Sequence, residues 1–163
     1  MDARVGSIGV GGIGRDLRRA QWLSVLVPFG LLAGALGSQH IGGLNPCEMC
    51  YWQRYPHWAA LALAGLSFFL PRAARPLTLL AALAIAVSGA IGVFHAGVEL
   101  KWWQGLTECT ATGARTLEEI MAAPLVRCDQ IQFEFLGISM AGWNAIISLS
   151  AAGAIAWLSL KRR

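Results

Sequence analysis

Two cysteines stand three residues apart in NPCEMCYWQR, residues 45–54, and Arg54 follows the second by four. Two more, Cys109 and Cys128, lie downstream with 18 residues between them. Four thiols can be structural staples, ligands of one zinc ion, or a redox-active pair served by a second pair. A staple suits Cys109 and Cys128. It suits Cys47 and Cys50 poorly, because a C-x-x-C bridge closes almost no loop and removes little unfolded-state entropy. Zinc has the right count, but the second pair lacks C-x-x-C spacing.

The elements that must position these residues are written in the hydropathy. The chain has 163 residues, 56% hydrophobic and only 13% charged, against about 25% charged in a soluble domain. The apolar residues fall in four blocks, about 22–41, 51–70, 77–98 and 138–160. Each reaches the roughly 20 residues needed to cross a bilayer. Arg54 is the one formally charged side chain inside them. The expected fold is an all-α membrane protein, a four-transmembrane-helix bundle over residues 21–163, behind a flexible tail at 1–20. Basic and small residues around the first block also fit a signal sequence. The block is span-length and ends in Gln39 and His40, so it is read as retained.

The net charge of +4 does not mark a nucleic-acid binder. Nine Lys/Arg fall in the tail, between blocks two and three, and at the C-terminus, against Asp2 and Asp16. The opposite side carries four basic residues, Arg54, Lys101, Arg115 and Arg127, against seven acids. By the positive-inside rule both termini are cytoplasmic and the two cysteine loops, about 42–50 and 99–137, face out. All seven tryptophans are expected near one surface or the other as interfacial anchors. The outward side is the oxidising one, which favours disulfide chemistry for the four cysteines.

Three local motifs complete the organisation. GVGGIG, residues 9–14, matches a dinucleotide-binding pattern, but no strand precedes it and no βαβ unit surrounds it, so it is read as tail. PRAARP, residues 71–76, makes a tight inner turn. Thr116 and Glu119 have capping-box spacing, which predicts a short surface helix in the second outer loop. Gly30/Gly34 and Ser88/Gly92/Ala96 recur at four-residue spacing, as helix-packing positions do.

Cys50 falls in the first turn of the second helix, where exposed backbone N–H groups favour a thiolate. Arg54 shares its helix face, so its guanidinium is expected near Cys50. Glu48 opposes both effects. Snorkelling toward headgroups is the competing role for Arg54.

The ordered set of Gln39–His40, Pro46–Cys47, the C-x-x-C, Arg54, HAGVELKWW (95–103), Cys109, Cys128 and FLGISMAGWN (135–144) resembles the DsbB/DsbI disulfide bond formation proteins of the bacterial inner membrane. That resemblance covers most of the chain from the first span onward. It implies a protein-disulfide oxidoreductase that reoxidises a periplasmic, DsbA-like thioredoxin-fold oxidase and passes the electrons to ubiquinone or menaquinone. It implies Cys47 and Cys50 as the pair beside the quinone, with Cys50 at the ring and Arg54 holding it. Cys109 would form the mixed disulfide with the partner, and Cys128 would resolve it by exchange with Cys47. His95 is similar to the family's third-span histidine near the quinone, and a hydrogen-bonded polar residue is its other reading. No metal ligand set is expected. The competing classes are a cysteine-stapled or zinc-binding membrane scaffold and a reductase like vitamin K epoxide reductase.

Overall fold

The computed structural model describes residues 14–106 and 127–161. The GVGGIG tail up to residue 13, Cys109 and the capping box at Thr116–Glu119 lie outside the described residues. Four long helices form the molecule: α1 (Arg15–His40), α2 (Glu48–Phe69), α3 (Ala74–Glu99) and α4 (Met140–Leu160). A two-stranded hairpin, β1 (Glu134–Phe135) and β2 (Ile138–Ser139), precedes α4. Three helical stretches, Arg15–His40, Pro71–Glu99 and Met140–Leu160, are long and apolar enough to cross a membrane. At a rise of about 1.5 Å per residue, the 22 residues of α2 span about 33 Å.

Local chemistry sets the helix ends. Cys47 is the N-cap of α2, its sulfur accepting the Cys50 backbone N–H at 3.3 Å. Ser139 caps α4 by accepting from the Gly142 N–H at 3.1 Å. Pro71 opens a 3₁₀ turn, Pro71–Ala73, that carries α2 into α3, as PRAARP predicts. The hairpin turns on Leu136 and Gly137, at φ 55° and 75°. Two consecutive left-handed residues are what a two-residue hairpin needs. The apolar FLGI run concealed this turn, and α4 starts at Met140 rather than 138.

Helix α3 is central, packing most extensively on α4 and α2, while α1 rests on α2 and α4. The core is small-residue chemistry: Ala60, Ala64, Ala81, Ala82 and Ala152 around Ile85 and Ile155. Small side chains let backbones approach closely where no water drives association. A Cβ on Gly92 would meet the Ala141 carbonyl of α4 at 2.9 Å, so glycine is required at that crossing. Gly30 and Gly34 differ from expectation, because a Cβ there meets nothing within 4 Å. They are open surface rather than helix contact. Large apolar side chains such as Phe29, Leu83 and Trp157 point outward, the inverse of a water-soluble bundle.

Candidate functional site

Cys47 is the most enclosed of the described thiols, at 1% exposure. Its cap position brings its sulfur to 2.9 Å from Cys50 Sγ and 3.6 Å from His95 Nε2. Cys128 packs in the same cluster, together with Met49 and Val98. The structure thus brings one cysteine of the second pair onto one of the first. Hydrogen bonding with Cys128 and Cys50, reinforced by burial, holds the Cys47 thiol far above its ordinary pKa. Cys50 moves the opposite way, chiefly because it accepts a hydrogen bond from Cys47, against the effect of its own burial. Cys47 is thus placed to share its proton with Cys50.

Arg54 is held differently from the expectation. Nη1 donates to Gln39 Oε1 at 2.5 Å and Nη2 to the Ala35 carbonyl at 3.1 Å, both on α1. The guanidinium also lies 5.1 Å over the Tyr51 ring. It acts on Cys50 only through space, as the smallest of the influences on that thiol. Gln39 thereby acquires a role that sequence alone did not give it.

The protonation of His95 follows from its neighbours. Gln53 Nε2 donates to the Met49 carbonyl at 3.2 Å and faces His95 Nδ1 at 2.8 Å. Gln53 Oε1 accepts from Asn144 Nδ2 at 2.8 Å, which fixes the amide orientation. Nδ1 is thus an acceptor, and the proton sits on Nε2. That N–H faces Cys47 Sγ, and Nε2 lies 3.8 Å from Glu99 Oε1. The donor atoms of Cys47, Cys50 and His95 all lie within 4.8 Å of one another, close enough for a metal ion. In the structure Nε2 is turned to the Cys47 sulfur at 3.6 Å. The set is built for hydrogen bonding to sulfur.

Behind His95 a polar network crosses three helices. Asn144 Oδ1 faces His57 Nε2 at 3.0 Å and accepts from Ser148 at 3.0 Å. Ser88 Oγ donates to the Gln53 carbonyl at 2.8 Å and sits 2.9 Å from His57 Nε2. Gln53, His57, Ser88 and Asn144 carry no formal charge, so the charge pattern of the spans does not single them out. Buried polar side chains among apolar helices were the signal available.

A cleft of about 230 Å³ opens beside the thiols. Gly30, Leu31 and Gly34 of α1 form an apolar wall, and Cys50, Arg54 and His95 lie along its polar side. The two neighbours of Cys128 in the chain, Arg127 and Asp129, form an ionic clip with Lys101, just beyond α3. Lys101 Nζ donates to Asp129 Oδ2 at 2.6 Å, and Arg127 Nη2 to the same oxygen at 2.8 Å. These two cations hold the Asp129 carboxyl well below its usual range. Trp103 stacks on Phe94 and donates to its carbonyl at 2.8 Å, closing over Gly97, so this tryptophan packs as well as fringing the surface.

The chain is similar to known proteins along most of its length. The family model for disulfide bond formation protein DsbB matches residues 17–158. Curated relatives named disulfide bond formation protein B include one from a Polaromonas species, 29% identical over 83% of this chain and 86% of its own. One from Aromatoleum aromaticum is 32% identical over 82% and 87%, and one from an Azoarcus species 33% over 82% and 86%. No solved structure matches significantly. A thiol cluster enclosed by long apolar helices, matched along nearly its whole length, makes this chain a multi-pass membrane member of the DsbB disulfide bond formation family.

Proposed function

We propose that the protein is a quinone-dependent protein-thiol oxidoreductase that reoxidises a periplasmic DsbA-like thioredoxin-fold oxidase. The observation that carries this reading is Cys47, which touches Cys50 on one side and Cys128 on the other. All four helices cross the bacterial inner membrane in this reading. Both termini are cytoplasmic and the cysteine loops periplasmic, as the charge asymmetry requires.

A thiolate of the partner attacks the Cys109–Cys128 disulfide at Cys109, giving a mixed disulfide and releasing Cys128. Cys128 then attacks Cys47, breaking the Cys47–Cys50 bond and leaving the electron pair on Cys50. The partner's second thiolate attacks its mixed disulfide and departs oxidised, freeing Cys109. Cys109 attacks Cys128 to remake its own bond, and the electrons rest on Cys47 and Cys50.

The cleft fits a quinone headgroup. It is apolar along α1, is kept open by two glycines without Cβ atoms, and is polar where Cys50, Arg54 and His95 meet it. Ubiquinone or menaquinone bound there would supply a two-electron, two-proton sink stronger than a DsbA-type oxidant at roughly −120 mV. Arg54, braced on α1, would direct its charge at a carbonyl oxygen, and the Cys50 thiolate would face the ring.

Purified, fully reduced protein in detergent with added ubiquinone, without a partner, tests the reading. Quinone absorbance and free thiols should fall together, and Cys50→Ser should abolish both. No quinone reduction, with menaquinone also tried, would falsify the assignment and favour a stapled scaffold.

A further inference from the structure

The redox reading leaves one enclosed acid without a task. The Glu99 side chain is 7% exposed, and its Oε2 has no hydrogen-bond partner. Its Oε1 lies 3.8 Å from His95 Nε2, the same N–H that faces the Cys47 sulfur at 3.6 Å. Glu99 and His95 are one helical turn apart on α3, so the carboxyl and the imidazole share a face by construction.

We infer that Glu99 helps confine the negative charge of the reduced pair to Cys50, acting on Cys47 through His95. Two favourable donors reach Cys47: the Cys50 backbone N–H at the start of α2 and the His95 Nε2–H. By themselves these would draw the thiolate to Cys47, the cysteine farther from Arg54 in sequence and the more enclosed. A carboxylate beside the imidazole attracts that N–H away from the sulfur, and its charge repels a second anion nearby. Cys47 keeps its proton and donates it toward Cys50, the less enclosed of the two thiols that line the cleft. The electrons thus rest on the side from which they leave.

Hydrogen bonds with Cys128 and Cys50 also hold the proton on Cys47, and Glu99 adds to them through His95. Helix α2 contributes Cys50 and Arg54, the latter bonded to α1 through Gln39 and Ala35. Helix α3 contributes His95 and Glu99, and Cys128 comes from the segment before the hairpin. From α4 come Ser139, whose hydroxyl faces the Glu99 carboxyl, and Asn144 in the network behind His95, neither of which ionises. Glu99 is a positioning residue, acting on sulfur through His95. The consequence for catalysis rests on the redox reading, but the charge distribution does not.

The test therefore uses full-length reduced protein in detergent without quinone or partner. Cysteine is labelled with ¹³C at Cβ, and the Cys47 and Cys50 signals are followed with pH in wild type and Glu99→Gln. In the variant the Cys47 midpoint should fall by about one pH unit, tenfold more thiolate at fixed pH, and that of Cys50 should rise. Coupling is reciprocal, so a labelled Glu99 carboxyl should also shift its own titration in Cys47→Ser. That second arm stands if Glu99→Gln does not fold. Unchanged midpoints in the folded variant, or an unmoved Glu99 in Cys47→Ser, overturn the inference. Quinone reduction is read separately, so losing one result leaves the other standing.

Discussion

Arg54 and Gln39 are joined side chain to side chain across two helices, Nη1 to Oε1 at 2.5 Å. The bond ties the cation on α2 to α1, whose glycines keep the cleft open. Gln39→Ala leaves Arg54 one neutral acceptor, the Ala35 carbonyl. A hydrogen bond to a charged group is worth about 1.5–3 kcal/mol, so the apparent KM for quinone should rise roughly tenfold or more. Arg54→Lys should lose more, because a point charge cannot bond to both acceptors in fork geometry. Steady-state kinetics with quinone varied checks both. An unchanged KM in Gln39→Ala would show that the brace is ornamental.

Filling the cleft should separate the two half-reactions. Gly34→Leu places a branched side chain where nothing now lies within 4 Å of a Cβ. Quinone reduction should drop at least about tenfold as the apolar wall closes. Thiol–disulfide exchange with a small disulfide, read by mass spectrometry, should continue at the wild-type rate. Equal loss of both would mean that the cleft serves the bundle and not a ligand.

The network centred on Asn144 should matter for stability. Asn144→Ala removes the donor to Gln53 Oε1, stranding it inside the bundle, and leaves His57 Nε2 with Ser88 alone. Interhelical bonds in membranes average only about 0.6 kcal/mol, but stranded buried groups add about 1–3 kcal/mol each. A loss of about 2 kcal/mol or more is expected in denaturation followed in detergent. The His95 tautomer should loosen with it, visible as a changed imidazole ¹⁵N pattern.

The clip on Asp129 gives a signed pH dependence. Lys101 and Arg127 depress its folded-state pKa, so its contribution is fully present above the ordinary carboxylate value of about 3.9. It disappears as pH falls through the lower folded value. The difference in thermal midpoint between wild type and Asp129→Asn should therefore be constant from pH 8 to about 5 and shrink only in stronger acid. A difference that changes near pH 6.5 would point to histidine instead.

Much of this site could be read from residue order, and the rest could not for reasons that are physical. The C-x-x-C reads as the start of a helix because an apolar span follows it, and PRAARP reads as a turn because proline ends and begins helices. Sidedness follows from Lys and Arg counts. The bond from Arg54 to Gln39 is tertiary, spanning 15 residues and two helices, and no local spacing encodes it. The role of Asn144 depends on Gln53, 91 residues earlier. Gly30 and Gly34 carry packing spacing, yet nothing packs on them; composition cannot distinguish a glycine that admits a helix from one that admits a ligand. The second loop between residues 107 and 126, with Cys109, stays at the level of sequence.

The partnership of Gln53 with Asn144 also bears on how the chain comes into being. Synthesis proceeds from the N-terminus at about 5–20 residues per second, and 91 residues separate these two side chains. The thiols of Cys47 and Cys50 therefore exist for roughly 5 to 18 seconds before the last helix is made. During that interval Gln53 lacks the amide that orients it, and Cys47 lacks part of the bundle that encloses it. The finished enclosure is thus a late step of assembly, reached only once the last helix is in place.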